Sequence, residues 1–196
     1  PGTRLVGYGD IAVAVPDSWA HNAVSCGAEA SDTVIYPDAA VQGSCAANSD
    51  ASSVTFADPP PYPSPYSRAP GEIGKVGDRV VLGTAVNRTD AGYEQTLLVP
   101  VSGFSMVVRS QDRSVVTDVA ASMRVVPDGF TVVPPCRGRR LRDAAADLAE
   151  ADLKLVVDQA STLSDRYGQP PVTFQNVDSG QVVPVGSRIS LFVPSF

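Results

Sequence analysis

The sequence predicts an α+β protein in two parts. A twisted antiparallel sheet with one late helix packed on it is expected over residues 1–130, and a small module of one helix and a three-stranded sheet over residues 131–196. Three observations lead there. A length of 196 residues suits one large domain or two small ones. Apolar residues alternate in many short runs, the period of half-buried strands. Two runs, near residues 113 and 141, change to helical spacing instead.

In the first part, Ile11, Val13 and Val15 alternate strictly, Pro16-Asp17 ends the strand, and Trp19 follows as a core anchor. TVIYPD (33–38) and SSVTFAD (52–58) read as two further short strands. Prolines at 59, 60, 61, 63, 65 and 70 remove so many N–H donors that residues 58–70 fit only an extended, polyproline-like loop. DRVVLGTAVNR (78–88), YEQTLLVPV (93–101) and GFSMVVRS (103–110) alternate again, and the Asp90-Ala91-Gly92 turn suggests an antiparallel meander. Val115, Val116, Val119 and Met123 then share a helical face, with Ser110 or Asp112 available as N-cap, and Arg124-Val125-Val126 leaves as a strand.

In the second part, LRDAAADLAEADL sets Leu141, Ala144, Ala145 and Leu148 on one helical face. Leu153, Leu155 and Val157 alternate as a strand, VTFQN (172–176) forms a second, and DSGQVVPVGS (178–187) holds two turns. Ile189, Leu191 and Val193 share one face of the last strand. So short a unit barely fills a core of its own.

Composition bounds function. Lys and Arg total 15 against 21 Asp and Glu, a net charge of −6, which opposes a phosphate backbone and excludes nucleic acid as the expected partner. His21 is the single histidine, which removes multi-histidine metal sites and catalysts; no metal and no cofactor are expected. No apolar run is long enough to span a bilayer. Cys26 and Cys45 lie 19 residues apart in an Ala/Ser/Gly/Asp-rich stretch. A disulfide between them would restrain that stretch by about 3 kcal/mol and implies an extracytoplasmic compartment; the alternative is two buried thiols. Cys136 is left over as a small core residue. Because residue 1 is Pro, a signal peptide or anchor is expected upstream. Arginine supplies nearly all the positive charge, Lys75 and Lys154 being the only lysines, a bias that resembles exported bacterial proteins.

The second part carries a more specific pattern. Val133-Pro134 is followed by Gly138, then Ala144 and Leu148 on the helix, then Asp152-Leu153-Lys154-Leu155. Val172, Gln175, Gly180, Val183, Gly186, Ser187, Ile189, Leu191 and Val193 complete it. This order and spacing resemble a PASTA domain, the small extracellular repeat of bacterial cell-wall kinases and penicillin-binding proteins. Two positions depart from the family pattern: Asp152 stands where it often has Gly, and Val177 where it usually has Pro. The resemblance implies a cell-envelope location and binding of uncrosslinked peptidoglycan fragments, or of the β-lactams that mimic them. The first part is loosely reminiscent of secreted Mog1/PsbP-like domains, through Val15-Pro16 with Trp19 and through Ser122, Arg124, Val125 and Val126.

Two segments offer ligand contacts. Arg137, Arg139, Arg140 and Arg142 crowd the start of the second helix, where cations oppose its dipole by about 0.3–1 kcal/mol each. A local violation of that kind in an acidic protein points to an anion contact. The competing reading pairs these arginines with Asp143, Asp147 and Glu150 one turn away. Tyr62 and Tyr66, on the proline-rich tract, offer rings for stacking on sugar or peptide. No G-x-S-x-G is present, and His21 has no positioned nucleophile beside it in sequence, so no catalytic residue is assigned. The function expected is a non-catalytic, exported cell-envelope interaction protein that contacts peptidoglycan, a muropeptide or a protein partner. The alternatives are a structural spacer or sensor ectodomain and, behind it, a hydrolase with a site in the first part.

Overall fold

The structure, a computed structural model, describes residues 2–25, 28–39, 50–57, 70–158 and 171–194. It divides into two units, Pro1–Val125 and Val126–Phe196. Among the described residues the fold is mostly β, 49% strand and 14% helix, which corrects the expected α+β class. Many of the added strands have only two or three residues. Such lengths hold less than two repeats of the alternation, so pairing partners rather than period define them.

In the first unit, Thr3–Tyr8 (β1) folds back through Gly9-Asp10 onto Ile11–Pro16 (β2), with Thr3 opposite Pro16 and Tyr8 opposite Ile11. There follow Ala20–His21 (β3), Val24–Ser25 (β4), Ala28–Glu29 (β5), Thr33–Ile35 (β6) and Ser53–Phe56 (β7). Next come Gly71–Val76 (β8), Arg79–Gly83 (β9), Asn87–Thr89 (β10), Gly92–Val99 (β11) and Phe104–Ser110 (β12). The helix Arg113–Ala121 (α1) and the strand Arg124–Val125 (β13) complete the unit. One sheet runs β1-β2-β13; a larger one runs β3-β6-β7-β12-β11-β9-β8, with β10 beside β11.

The larger sheet is mixed, not antiparallel as expected. β3 pairs parallel to β6, and β6 parallel to β7. Alternation reports which face of a strand is buried and is silent on the direction of its neighbour. A parallel neighbour cannot be reached by a tight hairpin, and β6 ends at Ile35 well before β7 begins at Ser53.

The core of this unit gathers Val13, Val15, Trp19, Val34, Val54, Leu97, Met106 and Val108 around Phe56. Phe56 stacks on Tyr36 at 5.0 Å between ring centroids and meets Phe104 edge-on at 5.7 Å. α1 packs on β11 and β12 through buried Val116 and Val119. It starts at Asp112, whose carboxylate accepts from the Ser114 N–H at 2.8 Å, an N-cap.

The second unit contains Phe130–Val132 (β14), Leu141–Glu150 (α2), Lys154–Asp158 (β15), Phe174–Gln175 (β16), Val182–Pro184 (β17) and Arg188–Phe192 (β18). They form two small sheets, β14-β17 and β15-β18-β16, in place of the single three-stranded sheet expected. The segment read as two turns holds β17, and Phe130 pairs with its Pro184. β15 and β18 run parallel, β16 and β18 antiparallel. Val133, Cys136, Ala144, Leu148, Leu153, Val172, Ile189 and Leu191 make the core.

α2 ends in a Schellman motif. Asp152 N–H donates to Ala149 O at 3.1 Å and Leu153 N–H to Leu148 O at 2.8 Å, while Leu148 and Leu153 both enter the core. Asp152 therefore has φ 53°, in the left-handed region. That explains why glycine suits this position in the resembled pattern.

Candidate binding site

The loop before α2 is fastened at several points. Gly138 turns it at φ 78°, a conformation that favours glycine. Gly138 N–H donates to Val172 O at 2.8 Å, and Val172 N–H returns a bond to Arg139 O at 2.8 Å. Arg139 N–H donates to Cys136 O at 3.1 Å, and Arg140 forms a β-bridge with Pro171. Below the loop, buried Gln175 accepts from Cys136 N–H at 2.9 Å and donates to Val177 O at 2.6 Å. Four arginines thus project from, or directly follow, a backbone held to the module core.

All four predicted arginines are exposed: Arg137 and Arg139 in the turn, Arg140 at the N-cap and Arg142 in the first turn of α2. Arg140 makes no side-chain capping bond, and its carbonyl accepts from Asp143 N–H and Ala144 N–H, each at 3.0 Å. Arg139 reaches across the helix to Asp147, with Nη1 at 2.5 Å from Oδ2. This pair spans eight positions, outside the i,i+3 and i,i+4 spacings considered from sequence, because Arg139 precedes the helix. Burial pushes the Asp147 carboxyl above the usual carboxylate range, against the pull of Arg139, with Glu150 and Asp143 adding to the rise. α2 carries arginines around its start, offset by Asp143 in its first turn, and Glu150 at its last residue, so most of these charges oppose the dipole. An anion at the loop would meet exposed arginines and the uncapped first turn of α2, in competition with Asp147 for Arg139.

Tyr62 and Tyr66 lie outside the described residues, as do Cys26 and Cys45 with their predicted disulfide. Cys136 is fully buried, its Sγ 3.6 Å from Pro134 O. His21 stacks on Tyr36 at 5.4 Å in the first unit. A groove of about 380 Å³ opens there between β8, β9, β11 and α1, walled by Ile73, Val81, Leu97 and Met123. Its lining holds no Ser, Cys, His, Asp or Glu, and Thr117 Oγ1 donates to Arg113 O at 3.0 Å. Among the described residues no group of three His, Cys, Asp or Glu could hold a metal, and no helix is long and apolar enough to cross a membrane.

Sequence reasoning missed a second cationic surface in the module. The parallel register of β15 and β18 puts Lys154 directly beside Arg188, on the face opposite buried Ile189 and Leu191. No local signal joins residues so far apart in the chain; only strand pairing does.

The turn at Gly138, the pinned loop and the helix with its Schellman end all lie in a segment that matches a known family. Residues 131–195 match the PASTA domain. PASTA domains bind peptidoglycan or related partners in general, and they are typically extracytoplasmic parts of cell-envelope proteins. No curated protein matches the chain. Among solved structures the chain is similar to penicillin-binding protein 2X from Streptococcus thermophilus, with 14% identity and a TM-score of 0.27. That alignment covers 62% of this chain and 22% of the other, so the chain spans less than a quarter of that protein's length.

Proposed function

We propose that this chain is a non-catalytic, exported cell-envelope interaction protein whose PASTA module binds peptidoglycan fragments. In this reading the arginine loop takes the carboxylates of the peptide stem. The pinned loop carries the proposal: Arg137, Arg139, Arg140 and Arg142 stand on a backbone bonded to Val172 and Cys136, so little backbone ordering is needed on binding. The PASTA match supports the ligand class. A spacer role finds support in the Arg139–Asp147 ion pair, which satisfies Arg139 internally.

Co-sedimentation with purified peptidoglycan across a salt series tests this. The parent chain is expected in the pellet at low salt and progressively less as salt screens the charges. An Arg137/Arg139/Arg140/Arg142→Ala variant is expected to stay in the supernatant. Pelleting of that variant to the parent's extent rejects the arginine loop as the contact. Failure of both to pellet favours the spacer.

A further inference from the structure

We infer that the PASTA module has a second ligand face on its β15-β18-β16 sheet, which takes an anionic glycopeptide strand with its carboxylate on Lys154 and Arg188 and an apolar sugar face on Phe174 and Phe192. The inference rests on the peptidoglycan reading for the ligand class but uses none of the four arginines of the loop.

Alternation in β18 turns Ile189 and Leu191 into the core and leaves Arg188, Ser190 and Phe192 on the opposite face. The register pairs Lys154 with Arg188, Val156 with Ser190 and Asp158 with Phe192 on β15, and Phe174 with Phe192 on β16, so the acidic position lies at the aromatic end, away from Lys154 and Arg188. Like charges directly opposite on neighbouring strands are destabilising, and among the described residues neither Lys154 nor Arg188 has a carboxylate in an ion pair. An incoming carboxylate relieves that repulsion, and the guanidinium and ammonium groups can each donate to it. At the other end, Phe174 is 55% exposed yet packs its ring 5.2 Å from that of Phe192, a tilted aromatic pair open to solvent. Large exposed aromatics held in place are platforms for the apolar face of a sugar ring.

The two ends stand four residues apart along β18, about 13 Å at strand rise. Val156 and Ser190 floor the interval, Ser190 with a hydroxyl. A bare carboxylate fills one end and a neutral glycan the other; a glycopeptide, with a sugar and an acid a residue or two apart, fills both. The face is also well fixed. Asn176 Oδ1 accepts from Ser190 N–H at 2.7 Å, and Thr173 Oγ1 donates to Phe192 O at 3.1 Å. Lys154 N–H donates to Ser187 O at 2.9 Å.

The test is a titration of the isotope-labelled full chain with a soluble disaccharide-peptide released from cell wall, followed by amide NMR shifts. Shifts are expected at 154–156, 174 and 188–192. Lys154→Gln/Arg188→Gln is expected to weaken binding about tenfold, and Phe174→Ser several-fold, both on exposed positions that leave the fold intact. Amidating the probe's carboxylates is expected to weaken binding to the parent and to add nothing further in the Lys154/Arg188 variant. Binding with shifts confined to 137–142, unaffected by these variants, overturns the second face while the function proposed above stands. Absence of binding by the parent chain overturns both.

Discussion

Gln175 supports the arginine loop from beneath. Its amide closes two backbone groups, accepting from Cys136 N–H and donating to Val177 O, in a core where Cys136 is fully buried. Gln175→Leu keeps the volume and strands both groups, at about 1–3 kcal/mol for each buried partner left unmade. Urea unfolding is expected to show the module destabilised by about 2–6 kcal/mol; an unchanged midpoint would mean that water takes over both bonds. The glutamine was visible in the sequence as one member of a spacing pattern. Its purpose was not, since nothing local links position 175 to position 136. Asp152 is the reverse case. Its departure from glycine was legible, and the left-handed φ of 53° supplies the reason a departure there matters.

Among the elements, α1 depends on its first turn. Hydrogen bonds from the Ser114 side chain and then its N–H hold the Asp112 carboxyl below the usual carboxylate range. A carboxyl lowered in the folded state adds stability above its unfolded pKa and loses it as pH falls through the lower folded value. Asp112→Asn keeps a capping oxygen but cannot titrate, so the acid limb of its thermal-unfolding profile is expected to be flatter than the parent's; coincident profiles would remove Asp112 from the account. The cap was one of two candidates readable from sequence, and the helical face at Val116 and Val119 was readable too. β8 was not. GEIGKV has glycine at two of six positions, is exposed along its first five residues, and carries an irregularity between Glu72 and Gly74. An edge strand pairs on one side alone, so burial never imposed an alternation on it. The same cause hides β14 and β17, whose three residues each are too few to display a period.

For the whole molecule, two core clusters share no residue, one around Phe56 and one around Leu148. Calorimetry is therefore expected to resolve two transitions. Leu148→Ala, which removes the centre of the smaller core, costs about 2–5 kcal/mol and should lower one transition while the other holds its temperature. A single transition that shifts as a whole would show the units unfolding together. The expected class failed at this scale because sheet direction and strand count depend on partners distant in sequence, whereas the two helices announce themselves within a dozen residues. One such partnership orders events in time. β18 is the central strand of its sheet, flanked by β15 and β16, and is the last strand in the described chain. A chain emerging N-terminus first from a ribosome or a translocon presents α2, β15 and β16 with no strand to join them. β15 and β16 have no shared partner until Arg188–Phe192 arrives, so the three-stranded sheet can form only then.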